Sequence, residues 1–249
     1  MMRYLALIAS LAVAGCGSRT PPPAAAAPEE LPMAAGVADS PWTWVYVFDG
    51  RDAAAVAARL ADRPHATWEY RVDRVTPVRS TPGVTVGVGT TLVRVEANAA
   101  WPPGDPAPLF RGVVRHQDYT SRADRAALAG SRPPPAAGPD AVAVLIPVRK
   151  SAAWWALPAD ERAAHFRERP GRPGHTSVGA GYVDRVYRKL YHARYAVETT
   201  DHDFLTYFEF EKAHEPAFDA LLAKLRDPIV NPEWEYVDRE YEIRMTRTR

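Results

Sequence analysis

The sequence predicts an α+β fold made of two similar halves. Two successive runs of mixed strand and helix patterns point to it. A proline-rich connector at 130–140, which contains GSRPPPAAGP, separates the runs. Across 249 residues, 47% hydrophobic side chains with 7 Trp and 11 Tyr supply enough apolar material for a real core. Their indole N–H and phenol O–H groups will need partners when buried. No self-identity between the runs marks a repeat.

The chain opens on MMRYLALIASLAVAGC. Arg3 is a minimal positive region, and Leu5 to Ala14 is an apolar stretch well short of the ~20 residues of a membrane-spanning helix. Val13, Ala14 and Gly15 precede Cys16, the one cysteine of the chain. Small residues before a cysteine resemble a bacterial lipobox, which implies a signal peptide at 1–15 and lipidation of Cys16. An ordinary secretory signal with an incidental Cys16 is the alternative. Lipidation implies a cell-envelope protein on the periplasmic side, held to the membrane through its lipid anchor only. Gly17 stands where an inner-membrane retention signal has Asp, which favours the outer membrane. Residues 16–41, rich in Ala and Pro without a periodic apolar face, read as a tether.

The first half spans 42–129. Trp42 to Phe48 reads as a strand stopped by Asp49 and Gly50. Asp52 to Asp62 reads as a helix with Val56 and Leu60 on one face. Residues 67–75, 84–96 and 111–119 have strand character, the middle one flexed at Gly87 and Gly89, and Arg122 to Ala129 reads as a second helix. The second half spans 141–249. Ala141 to Val148 reads as a buried strand, and Ser151 to Arg169 as a helix broken at Pro158. Residues 183–192 and 204–211 read as strands. Glu215 to Arg226 is a helix with Phe218, Leu221, Leu222 and Leu225 on one face, and Glu235 to Met245 is a last strand.

Charge excludes some functions. Lys and Arg total 31 against 30 Asp and Glu, so the basic excess of a nucleic-acid binder is missing. One Cys rules out an intrachain disulfide, a Cys-rich zinc site and covalent haem attachment. Gly87-Val88-Gly89 lacks the third glycine and the context of a phosphate loop. Asp201, His202 and Asp203 read as a solvated polar turn, and Arg247 and Arg249 as a frayed end. His65, His116, His165, His202 and His214 read as surface or structural residues.

Residues 145–210 hold the most distinctive motifs: LIPVRKSAAWWALPADER, then PGHTSVGAGYVDRVYRKLYHARY, then DFLTYFEF. These blocks, together with Arg111 to Thr120 upstream and NPEWEYVDRE downstream, resemble the chlorite dismutase family of haem proteins. The resemblance implies two ferredoxin-like halves of the dimeric α/β-barrel type, with non-covalent haem b in the C-terminal one. It implies a homo-oligomer, and the full-looking first half favours a pentamer. His175 matches the family's proximal iron ligand, a neutral imidazole that leaves the opposite iron face open. Glu233 matches the carboxylate that bonds its other ring nitrogen, with Glu235 also possible because the match is gapped nearby. Arg188 matches the distal arginine, a fixed guanidinium suited to an anion. Lys150, Trp154 and Tyr119 match donors to the haem propionates, and Trp155 a residue packing on the proximal side. His192 falls outside the ligand position and reads as structural.

Two departures bear on function. Phe166 to Pro173 is an insertion-like stretch before His175. Ile146 stands where the coprohaem decarboxylase branch carries a reactive tyrosine, so propionate chemistry through that position is excluded. The resemblance thus implies a five-coordinate haem enzyme that decomposes chlorite, a small anionic oxidant, to chloride and dioxygen. A haem peroxidase acting on peroxide and a non-enzymatic haem-binding or sensing lipoprotein are the alternatives. A chain without thiols other than Cys16 is compatible with a site that makes oxidants.

Overall fold

The computed structural model describes residues 43–80, 82, 83, 85–114, 140–194 and 201–249. Cys16, Tyr119, the 16–41 tether, the helix expected at Arg122 to Ala129 and nearly all of the connector lie outside these residues.

β1 (Trp44–Asp49) alternates aromatic and branched side chains, as the sequence predicts. Asp49 ends it by accepting the Arg51 backbone N–H, and α1 (Ala53–Leu60) follows, burying Val56 and Leu60. β2 (His65–Arg79) is long and leads to β3 (Thr91–Ala97) and β4 (Phe110–Val113). The strand expected from residue 84 starts only at Thr91. Gly87 accepts the Thr90 N–H and Gly89 has φ 83°, so the two glycines close a turn where they were expected to bend a strand.

β5 (Ala141–Lys150) is followed by three short helices, α2 (Ala152–Ala156), α3 (Ala159–Phe166) and α4 (Gly174–Ala180). The break at Pro158 falls where the sequence places it. β6 (Tyr187–His192), β7 (Phe204–Glu211), α5 (Glu215–Leu225), a 3₁₀ turn (Pro232–Tyr236) and β8 (Val237–Arg247) complete the chain.

The eight strands form one closed barrel in the order β1-β3-β2-β8-β5-β7-β6-β4, and every pairing is antiparallel. This corrects the expectation of two ferredoxin-like α+β halves. Strands from the two halves pair with each other, β2 along β8 and β4 with β6, so the sheet closes on itself and strands dominate. Local patterns show where strands begin and end. They do not show which distant edge each strand meets.

Alternate residues serve two cores. Odd positions of β5, β7 and β8 (Ala143, Leu145, Leu205, Tyr207, Tyr241, Ile243) fill the lumen with Val45, Val47 and Leu92. Even positions of β5 and β7 (Val144, Ile146, Phe208, Phe210) face outward and pack beneath α4 and α5 through Val178, Phe218, Leu221 and Leu222. α1 covers the first half in the same way over Tyr46, Phe48, Val93 and Val95. The candidate site lies on the outer, helix-covered face of the second half.

Candidate functional site

Lys150 is the last residue of β5, at a register shift against β8, and its side chain is buried. Ser151 turns the chain out of the strand and caps α2, accepting the Trp154 backbone N–H at 3.2 Å. That cap begins a five-residue helix carrying both tryptophans. Trp154 is 1% exposed and meets His165, Phe166 and Tyr236 with ring centroids 5.4–5.9 Å away. The Lys150 ammonium lies 5.0 Å from the Trp154 ring centroid. Among the described residues the buried indole Nε1 of Trp154 has no acceptor.

His175 is the second residue of α4. Gly174 before it has φ 73°, and a Cβ there would stand 2.5 Å from the Arg167 carbonyl oxygen. Only glycine lets the Phe166–Pro173 stretch turn back this closely on the helix start. Phe166 meets the His175 ring edge-on at 5.3 Å. His175 Nδ1 lies 2.8 Å from Glu233 Oε2, a contact set by distance and charge rather than by ideal hydrogen-bond alignment. The other Glu233 oxygen pairs closely with Lys150 Nζ. Glu235, the alternative, is exposed. Arg79 of β2 donates to the Trp234 carbonyl at 2.7 Å, so a first-half residue steadies the turn that presents Glu233.

Burial alone would push the Glu233 carboxyl up. The Lys150 ammonium, and after it His175, outweigh that and hold it well below the usual carboxylate range. The result is an ionised, buried carboxylate gripping one ring nitrogen. The His175 side chain keeps 21% exposure, and no protein group engages Nε2 among the described residues. An imidazole fixed at one nitrogen and open at the other is the arrangement of a metal ligand with a backing carboxylate. Among the described residues no group of three or more His, Cys, Asp and Glu could hold a bare metal ion. A metal at His175 would need donors from elsewhere, such as a macrocycle.

Arg188 is half-buried on β6 and pairs across to Phe208. Directly paired residues share a sheet face, so Arg188 stands on the outer face with Phe208 and Ile146. Trp155 donates Nε1 to Asp203 Oδ2 at 3.3 Å and lies under the Arg194 guanidinium at 4.0 Å. His192 is buried beside the Phe204 ring, 5.3 Å away.

The structure thus brings Lys150, Trp154, His175 and Glu233 together and sets Ile146 and Arg188 on the same sheet side. Tyr119 lies outside the described residues. Two expectations fail: of the turn expected to be solvated, Asp201 is exposed but His202 and Asp203 are buried, at 6% and 7% exposure, and Arg247, expected in a frayed end, closes β8 and pairs with Glu209 at 3.0 Å. The apolar run Phe204 to Phe210 directly after Asp203 was the available sign that the turn is pulled into the fold. Arg79 and Arg194 carried no sequence signal, because their partners lie far along the chain or depend on ring stacking.

The family model for chlorite dismutase matches residues 94–240. The crystal structure of a dimeric chlorite dismutase from Nitrobacter winogradskyi is 30% identical. The match covers 74% of this chain and 100% of that one with a TM-score of 0.57. Chlorite dismutase from Candidatus Nitrospira defluvii, in complex with imidazole, is 19% identical. That match covers 83% of this chain and 90% of that one, with a TM-score of 0.56, and speaks for the fold alone. Matching across more than half its length, and at this identity over an entire relative, the chain belongs to the chlorite dismutase family.

Proposed function

We propose that this protein is a haem b enzyme that decomposes chlorite to chloride and dioxygen. One observation carries the reading: the His175 ring is gripped at Nδ1 by a buried, ionised Glu233 while Nε2 stays open. The Trp154 N–H beside it, without an acceptor among the described residues, fits a buried anionic group such as a propionate. These residues suit a haem with its propionates. Bound there, the haem would supply a redox-active iron with one open coordination position.

His175 Nε2 would hold the iron. Glu233 would fix the ring's orientation and raise its donor strength, and Lys150 keeps Glu233 ionised. An ammonium has three N–H donors, so Lys150 can serve Glu233 and a propionate together, with Trp154 as a second donor. Arg188 would attract the chlorite anion and hold it at the open position the haem would supply, keeping the reacting groups together while ClO2− is converted to Cl− and O2. Ile146 offers no phenol, in line with a chlorite-type rather than a decarboxylating role.

The visible spectrum of haem-loaded protein, wild type against His175→Ala, tests the ligand. Oxygen-electrode traces on chlorite with parallel peroxide assays test the reaction. A Soret band indifferent to His175→Ala would overturn the site. A normal spectrum with turnover of peroxide alone would move the reading to a peroxidase, and turnover of neither to a haem-binding or sensing protein.

We also propose a homo-oligomer, with a pentamer favoured over the dimer named for the Nitrobacter protein. The support is that this chain extends beyond the whole of that relative. Light scattering on the purified protein distinguishes the two. Lipidation of Cys16 would hold the protein to the envelope membrane on the periplasmic side. Cys16→Ala should release it from the membrane fraction, and unchanged partition would refute the anchor.

A further inference from the structure

Asp203 is a buried charge that the proposed reaction does not use. Its carboxylate joins three elements. Oδ2 accepts the Lys150 backbone N–H at 2.7 Å and the Trp155 indole N–H at 3.3 Å. Oδ1 faces Arg194 at 3.3 Å, and the same guanidinium lies 4.0 Å over the Trp155 ring. Its backbone continues the pattern. The Asp203 N–H donates to Val148 at 2.7 Å, and its carbonyl accepts the N–H groups of Ala193 and Arg194 at 2.8 and 3.1 Å.

These contacts fall where the site has least support of its own. Lys150 sits where the β5–β8 register shifts, so its N–H is no regular rung of the ladder, and Asp203 takes it instead. α2 has five residues, too few to hold its orientation by internal bonds. Anchoring the Trp155 indole therefore sets the roll of α2 and with it the direction of the neighbouring Trp154 ring. Ala193 and Arg194 directly follow β6, which carries Arg188.

We infer that Asp203 is a positioning residue for the cofactor pocket, setting where Lys150 and the Trp154–Trp155 helix stand while acting only through them. The inference rests on the haem reading given above. It names the residue that makes that pocket rigid, and it assigns Arg194 to locking Trp155 against the carboxylate.

The test uses the full chain prepared without haem, titrated with haem and followed at the Soret band, with near-ultraviolet circular dichroism of the tryptophans alongside. Asp203→Ala should weaken haem binding by about tenfold or more, the usual scale for supporting groups around a metal ligand. It should also alter the tryptophan signal of the apoprotein. Asp203→Asn keeps an oxygen to accept the Lys150 N–H and should recover most of the affinity. If the alanine variant does not fold, Arg194→Gln replaces it. That half-exposed change should alter the tryptophan signal and weaken binding in the same direction. Wild-type affinity in Asp203→Ala, wild-type behaviour in Arg194→Gln, or equal losses in the alanine and asparagine variants would overturn the inference while the haem reading stands. A wild-type chain that takes up no haem would remove both.

Discussion

Two buried charge networks lie on opposite faces of the same sheet. In the lumen, Arg94 is sandwiched between the Trp68 and Tyr207 rings at 4.0 and 4.1 Å and bonds Glu96 at 2.7 Å and the Tyr70 hydroxyl at 3.1 Å. Lys189 reaches the other Glu96 oxygen at 2.9 Å, and Tyr207 donates to Glu209 at 2.8 Å. None of these groups has an orphaned buried polar atom. On the outer face, Lys150, Glu233 and His175 form a comparable chain, but among the described residues Trp154 Nε1 has no acceptor and His175 Nε2 stays open. The first network has its polar groups paired among the described residues and ties barrel strands together. The second leaves an orphaned donor, which fits the proposed haem. Between these two networks, satisfaction of donors and acceptors differs more than charge or burial.

The largest expected effect probes the open network. His175→Ala should abolish the haem Soret band in a chain that still folds, with the apoprotein losing only the Nδ1–Glu233 contact, about 1–3 kcal/mol in urea unfolding. Next comes the closed network. Glu96→Ala removes the buried carboxylate that Arg94 and Lys189 share and should cost about 3–5 kcal/mol of stability in urea unfolding. The chain that stays folded should still bind haem. Loss of haem affinity at native stability would break the contrast.

A third prediction concerns pH. His202 is buried beside Phe110, and burial lowers its imidazole from the ordinary value of 6.5 to about 4. Below the ordinary value the unfolded chain takes up a proton that the folded chain refuses. The His202 contribution to stability should therefore fall as pH drops from ~7 to ~4, by at most about 3 kcal/mol, and level off below that. His202→Gln should flatten the slope in urea midpoints measured across this range. An unchanged slope would assign the acid sensitivity elsewhere. The smallest effect sharpens the role of the orphan donor. Trp154→Phe removes an N–H with no partner among the described residues, so haem affinity should drop by about 1 kcal/mol, roughly fivefold. Apoprotein stability should fall less than that, and equal losses would make Trp154 a packing residue only.

Much of this was legible in the chain, unevenly. β1, α1, β5, the break at Pro158 and α5 follow from apolar spacing and breakers, which act within a few residues. Lys150, Trp154 and His175 stood out through the blocks that resemble the family. The choice of Glu233 over Glu235 did not, since the two are neighbours on a 3₁₀ turn and only packing decides which one is buried. Asp203 looked like a solvated residue because its three partners come from β5, α2 and the chain after β6.

By itself the sequence determined most of the strand and helix segments, the exclusion of an intrachain disulfide and a Cys-rich zinc site, and the family to which the chain belongs. Tertiary structure alone decided that eight strands close into one barrel, which carboxylate grips His175, and which buried groups are left without partners. Local propensity and periodicity act over a few residues, whereas barrel closure and hydrogen-bond completion depend on groups brought together from distant parts of the chain.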